Sequence, residues 1–303
     1  MAGHLRLGGM SAALLVAMML SACVQTGPPL SGERVTEREF AQAREALARW
    51  AAAVEAGGGT QSFVPVGELT AQIGDWEEEV GDNNKSALYA GMLEAAVALP
   101  TEVPGEAAVR WDDGRTMAVR TISAQQALRA LVAAGDKGCP TCVPLRVTGA
   151  RLSTAKLLTS RGPATTPAWE FTLKGTKVIV TRIAVAASDV IVVTPPPWDS
   201  SASPIGTRID GATRTADGRQ LIVAFIGWPE GRDRPCGADY SAEAVESDTA
   251  IVVIVVTHPN GAAVACRLVG ATRTATASLA RPLGERTVLE IMQGLPVSVV
   301  LAP

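Results

Sequence analysis

Residues 194–204, Thr-Pro-Pro-Pro-Trp-Asp-Ser-Ser-Ala-Ser-Pro, divide the 303-residue chain into two unlike parts. Three consecutive prolines remove three backbone donors and fix φ, so this run joins neither a helix interior nor the middle of a sheet. Before it lie capping boxes and helical spacings; after it lie short alternating runs separated by turn pairs. The length also suits two domains better than one. The expected fold is an α+β N-terminal domain over 36–193, a Pro/Ser-rich linker over 194–204, and an all-β, sandwich-like C-terminal domain over 205–303.

The N-terminal part carries two explicit helix starts. Thr36-Glu-Arg-Glu39 is a capping box, followed by Phe40, Ala43, Leu47, Trp50 and Val54 at three- and four-residue spacing and stopped by Gly57-Gly58-Gly59. Ser123-Ala-Gln-Gln126 is another, opening a helix with Leu128, Leu131 and Val132 that closes at Gly135. A further helix is predicted over Lys85–Leu99, ending before Pro100. Phe63–Val66 is predicted extended, and the Asp-Gly turn in Trp111–Arg115 predicts a hairpin. Strands are predicted at 145–154, 168–173 and 178–185, with the proline-bearing stretch from Ser160 as a loop entering the second.

Beyond the linker, Asp217-Gly218 is expected to join 208–216 to 219–226, and Asn260-Gly261 to join 251–257 to 263–277. Short runs near 287–291 and 296–301 complete the β pattern. The string Gly-Ala-Thr-Arg-Thr-Ala occurs at Gly211 and again at Gly270. Its flanks do not match, and shared edge-strand patterning accounts for it better than an internal repeat.

Composition narrows the function classes. Apolar residues at 47% against 19% charged exclude a disordered chain, and 4% aromatics require a core of small aliphatic side chains. A net charge of −3 with both signs scattered argues against a nucleic-acid partner.

The first 22 residues read as a targeting signal. A weakly basic start with His4 and Arg6 precedes the apolar run Met10–Leu20, too short for a spanning helix, which needs about 20 residues. The tetrad Leu20-Ser21-Ala22-Cys23 resembles the lipobox of bacterial lipoproteins. That resemblance implies cleavage before Cys23, acylation of its sulfur, and a membrane anchor through lipid; an ordinary secretory signal is the alternative. Two acyl chains suffice for stable anchoring where one is marginal. Residues 23–35 then serve as a Gly/Pro-rich tether.

Four cysteines remain. Cys139-Pro-Thr-Cys142 has the spacing of a thiol oxidoreductase, but a proline and strand-like residues follow where that chemistry needs a helix start. A structural disulfide fits better. Of three connectivities, separation along the chain favours Cys139–Cys142 with Cys236–Cys266. Five carboxylates between Asp75 and Asp82, or Asp112 with Asp113, are the candidates for paired acid–base hydrolysis, although a solvated face explains the first cluster. They lack calcium-loop spacing, and the four thiols are not expected to hold zinc outside the cell, so no metal is expected. His258 stands before a turn and is read as solvated rather than catalytic. No phosphate loop or nucleophile elbow is present, and no cofactor is expected. Trp198 and Trp228 are candidate binding aromatics, with domain packing as their structural alternative, and Arg161 is a candidate anion contact.

With the lipobox, Val147-Thr-Gly-Ala-Arg, Ser160-Arg-Gly, Pro167-Ala-Trp-Glu-Phe and Tyr240-Ser-Ala-Glu-Ala-Val-Glu-Ser read together, the chain resembles an uncharacterised group of actinobacterial lipoproteins. The resemblance implies a cellular address and assigns no activity. The expectation is a lipid-anchored extracytoplasmic binding or accessory protein, with an envelope protein or glycan as partner. The rivals are a carboxylate hydrolase and a CPTC thiol oxidoreductase.

Overall fold

A computed structural model describes residues 34–59, 62–76, 83–197, 199, 203–261 and 265–302. Among the described residues the fold is mostly β, 41% strand, with three α-helices and several sheets. The N-terminal part contains α1 (Glu37–Ala56), β1 (Thr70–Ile73), α2 (Asn83–Tyr89), β2 (Leu93–Ala95), β3 (Glu106–Trp111), β4 (Thr116–Arg120), α3 (Ala124–Ala134), β5 (Leu145–Thr159), β6 (Gly162–Leu173) and β7 (Ile179–Ile183). The C-terminal part contains β8 (Ile209–Arg214), β9 (Gln220–Gly227), β10 (Ala238–Glu246), β11 (Ala250–Pro259), β12 (Ala271–Ser278), β13 (Thr287–Glu290) and β14 (Val299–Leu301).

Both capping boxes form as local chemistry dictates. The Thr36 hydroxyl accepts from the Glu39 amide while Glu39 accepts from Thr36 N–H, and Ser123 with Gln126 repeats the pattern. The helix predicted over Lys85–Leu99 is cut short. It stops at Tyr89, and Leu93–Ala95 becomes a strand parallel to β5. Gly91 sits at φ +68°, and a Cβ there would lie 2.6 Å from the Val132 carbonyl oxygen. A left-handed glycine in backbone contact with the end of α3 cannot continue a helix.

Strand β6 organises the first sheet. It pairs with β5 along one side and with β3 and β7 along the other; β4 extends the sheet beyond β3 and β1 beyond β7. The stretch from Ser160, expected as a loop, is therefore mostly strand. Its prolines are tolerated because both face the side where β6 changes partner. Pro163 lies next to the first residue of the strand, and Pro167 falls between pairing with β3 at Thr165 and with β7 at Ala168. Their carbonyls still accept, from Asp112 and Ala184 N–H respectively.

In the C-terminal part, Asp217-Gly218 closes the β8–β9 hairpin as expected. Asn260-Gly261 does not join two paired strands. β11 pairs with β10 and β13, whereas β12 pairs with β9 in the other sheet. The Asn260 amide instead donates to the Arg232 carbonyl. The two Gly-Ala-Thr-Arg-Thr-Ala strings flank β9, one on each side, in the order β12-β9-β8-β14. Of the two strands that carry the strings, β12 lies at an edge and β8 does not, so a common antiparallel neighbour explains the likeness better than edge position.

Alternate residues of both C-terminal sheets share one core, including Leu221, Val223, Phe225, Ile251, Val253 and Val288. The opposite face of β11 meets α1: Ala43, Ala46, Trp50 and Val54 pack with Val252, Ile254, Leu289 and Ile291. β11 is thus covered on both faces, which accounts for its unbroken apolar run from Ala250 to Val256. Although α1 precedes residues 194–204 in sequence, it packs on strands that follow them, and the described residues fall in one compact unit. Among the described residues no helix is long and apolar enough to cross a membrane.

Candidate functional site

The cysteines pair as expected, Cys139 with Cys142 and Cys236 with Cys266. Cys139 stands in a turn after α3, and the next regular element is β5, so no helix N-terminus is present to stabilise a thiolate there. Cys23 and Trp198 lie outside the described residues, as do Glu77, Glu78, Glu79 and Asp82.

Asp75 is exposed. Asp112 and Asp113 are exposed on the β3–β4 turn. The Arg115 guanidinium, hydrogen-bonded at 2.8 Å, holds the Asp113 carboxyl below the usual carboxylate range. A carboxylate fixed in its ionised form by an arginine is a poor proton donor. Among the described residues no group of three or more His, Cys, Asp or Glu could hold a metal.

Arg161 occupies the β5–β6 turn and is ion-paired with Glu285. It borders a small cavity of about 190 Å³ shared with Trp50, Asp248 and Arg286, and its charge is already answered. Trp228 is half-buried and opens the loop leading to Cys236. Its N–H donates to the Tyr240 hydroxyl at 2.6 Å, and its carbonyl accepts from Arg273 at 2.8 Å. Arg273 also donates to the carbonyls of Pro229 and Glu230 and lies over the Tyr240 ring. These contacts make Trp228 part of a held loop.

His258 lies on β11, opposite Asp239, and its Nε2 is 2.8 Å from the Ser241 Oγ. Asp239 instead accepts from the Arg232 N–H, and among the described residues no carboxylate pairs with the imidazole. The dyad lacks the orienting acid of a triad.

A mainly apolar concavity lies elsewhere, along α3. The buried stripe Ala124, Ala127, Leu128 and Leu131 packs on Val147, Trp169, Phe171 and Val180, and the Trp169 indole donates to the Ile122 carbonyl at 2.8 Å. This fixes the start of α3 against the first sheet. The neighbouring flank of the helix, with Gln125, Arg129 and Val132, faces β2 and the chain that continues from it to Leu99. A groove of about 480 Å³ runs between them. Leu93, Leu99 and Leu128 are its buried floor, while Val97, Ala98 and Ala133 are exposed at its mouth.

Polar groups close the ends. The Gln125 N–H donates to the Pro100 carbonyl, tying the outer wall to the first turn of α3. At the other end Lys137, at φ +59°, donates its ammonium to the Val132 carbonyl. The lining contains Arg129 and Lys137 and no acid. Glu94 is turned to Arg146, and the Asp136 carboxylate accepts from Gly138 N–H. The sequence places Leu128, Leu131 and Val132 on one apolar helix face and Leu93 to Leu99 in a second helix, with no binding role for either. The usable signal was Arg129 beside Val132, a cation at the edge of an apolar stripe.

No protein-family model, curated protein or solved structure matches the chain.

Proposed function

We propose that the chain is a lipid-anchored binding or accessory protein on the extracytoplasmic side of a bacterial envelope, with the groove along α3 as its ligand site. The observation that carries this reading is the groove itself, a concavity of ligand-binding size lined mainly by apolar side chains with a few polar groups at its ends. Support for the anchor comes from Leu20-Ser21-Ala22-Cys23 at the end of an apolar run of signal length. In the C-terminal part, the shared core of the two sheets supports reading them as a sandwich.

Two measurements test the reading. Cys23→Ser should release the protein from membranes and end incorporation of a labelled fatty acid; continued labelling would overturn the anchor. A photoreactive residue in place of Ala98 should capture a ligand in intact cells, whereas the same residue in place of Asp217, on the β8–β9 turn, should not. Equal capture at both positions would overturn the site.

A further inference from the structure

We infer that the open edge of β5 is a second interaction surface, on which an extended segment of a partner protein adds as a strand and sets an acidic side chain opposite Lys156. The inference is independent of the groove along α3.

The backbone of β5 defines the edge. On one side the strand pairs with β6 along Val147–Thr159. On the other it meets β2 only at Leu145–Val147, where Ala96 N–H also donates to the Val147 carbonyl. At its far end Val66 N–H donates to the Leu158 carbonyl. Between these attachments lie Gly149–Leu157, nine residues of strand and about 30 Å at about 3.3 Å each.

The direction of the free groups follows from the pairing. Leu158 turns its carbonyl away from β6 to reach Val66, and opposite it stands Pro163, which has no N–H. Antiparallel pairs alternate, so Lys156, Thr154, Leu152 and Ala150 also direct N–H and C=O away from β6. Pro167, opposite Thr154, agrees with this: it lacks a donor, and its carbonyl accepts from Ala184 on the far side of β6. Four donors and four acceptors stand in one row, and among the described residues none of them has a partner. Such a row pairs with another extended chain.

The gap selects its occupant. A second copy of β5 is too long for it, since that strand runs 15 residues and carries β2 and Val66 at its own ends. The chain's own tether contains Pro28-Pro29, and two missing donors in succession suit a strand poorly. A short extended segment of another protein meets neither obstacle. The side chains add its chemistry. Leu152, Thr154, Lys156 and Leu158 share one face of the edge, and all four are exposed. Arg146 and Arg151 are answered by Glu94 and Glu170, whereas among the described residues Lys156 has no ion pair. Opposite charges directly across a ladder stabilise it, which puts an acid opposite Lys156 and an aliphatic residue opposite Leu152.

The test uses the full chain in detergent and a fluorescein-labelled probe peptide, Val-Glu-Val-Thr-Thr-Val-Thr-Val-Thr. Its antiparallel register sets the Glu opposite Lys156 and the sixth residue opposite Leu152. Fluorescence anisotropy should show saturable binding. Amide exchange at Ala150, Leu152, Thr154 and Lys156 should be fast in the free protein and slow with the probe bound. Methylating the second, fourth and sixth backbone nitrogens of the probe, which face β5, should abolish binding; methylating the third, fifth and seventh, which face solvent, should not. Thr154→Pro removes one outward donor, leaves the β6 ladder intact and should abolish binding, with circular dichroism checking that the fold is kept. Lys156→Glu should weaken the probe at least threefold, and a probe with Lys in place of Glu should regain that loss.

No saturable binding by the wild type, slow exchange at the four amides of the free protein, or equal binding of the two methylated probes would overturn the inference. Indifference to Lys156→Glu would overturn the acidic side chain. A wild-type dimer in sedimentation that Thr154→Pro dissolves would put a second copy on the edge and overturn the partner. Probe binding that requires deletion of residues 24–33 would overturn it in favour of the tether. Photocapture at Ala98 is untouched by all of these results, so the groove along α3 stands or falls separately.

Discussion

Helices α1 and α3 begin with the same device, Thr36 with Glu39 in one and Ser123 with Gln126 in the other, and differ in what surrounds them. α1 is pinned along its length to the C-terminal strands. Its Gln42 amide donates to the carbonyls of Ile205 and Ile291, and the Trp50 indole donates to the Thr249 hydroxyl. α3 is held at its start and along its buried stripe, while its other flank stands open to the groove. A helix sealed on its working face contributes stability. One sealed only in part presents a surface that a ligand can complete.

The largest expected effect tests the sealed helix. Trp50 is 2% exposed and packs against strands more than 190 residues away in sequence, so Trp50→Ala should cost about 4 kcal/mol, the range for aromatic truncation in a core. Urea unfolding of the full chain measures it. Val132→Ala, on the partly exposed wall of the groove, should cost about 1 kcal/mol or less. Similar losses at both positions would break the contrast between the helices.

The disulfides extend the comparison. Cys236–Cys266 closes a separation of 30 residues and joins the loop before β10 to the segment entering β12. Cys139–Cys142 closes a separation of three, two residues beyond Lys137. In the chain-entropy model the first contributes about 3.6 kcal/mol and the second about 1.6 kcal/mol. Replacing each pair by alanine and measuring unfolding should give losses in that order. A larger loss for the short bridge would show that it supports the end of α3 through native contacts.

What could be read from the residues follows the range of the interactions. Capping boxes and Asp-Gly turns involve neighbours within a few positions, so Thr36, Ser123, Asp113 and Asp217 could be assigned their places at once. The disulfide pairs followed from cysteine spacing. Long-range pairing was not legible. Pro163 and Pro167 look like loop residues until it is known that β6 changes partner beside them, and Asn260-Gly261 looks like a hairpin until β11 and β12 are seen in different sheets. Gly91 carried the same ambiguity, since its contact with the end of α3 depends on residues more than 40 positions away. The groove was hidden for a related reason. Leu93 and Leu99 resemble ordinary core residues, and nothing local shows that one flank of α3 lacks a covering element.

The smallest effect tests the junction between the two regions. Asp189 ends a short 3-10 turn, and its carbonyl accepts from Phe63 N–H just beyond α1, where Gly58 lies so close to the Ser188 carbonyl that a Cβ would be 2.4 Å from it. The Asp189 carboxylate accepts from the guanidinium of Arg120 and from its backbone N–H at 2.6 Å. The Arg120 side-chain hydrogen bond, more than any other cause, holds the Asp189 carboxyl below the usual carboxylate range. A carboxyl that ionises more readily folded than unfolded contributes stability above its unfolded pKa, near 3.8, and loses it as pH falls through the lower folded value. With Arg120 largely exposed, solvent screening limits the contribution to about 1 kcal/mol. Asp189→Asn should therefore lower stability by about that amount at pH 7, and the gap between wild type and variant should narrow progressively below pH 4. Urea midpoints for both proteins between pH 7 and pH 2.5 measure it. A gap unchanged at pH 2.5 would mean that geometry and not charge holds the junction, and that the turn joins α1 to the first sheet through backbone contacts alone.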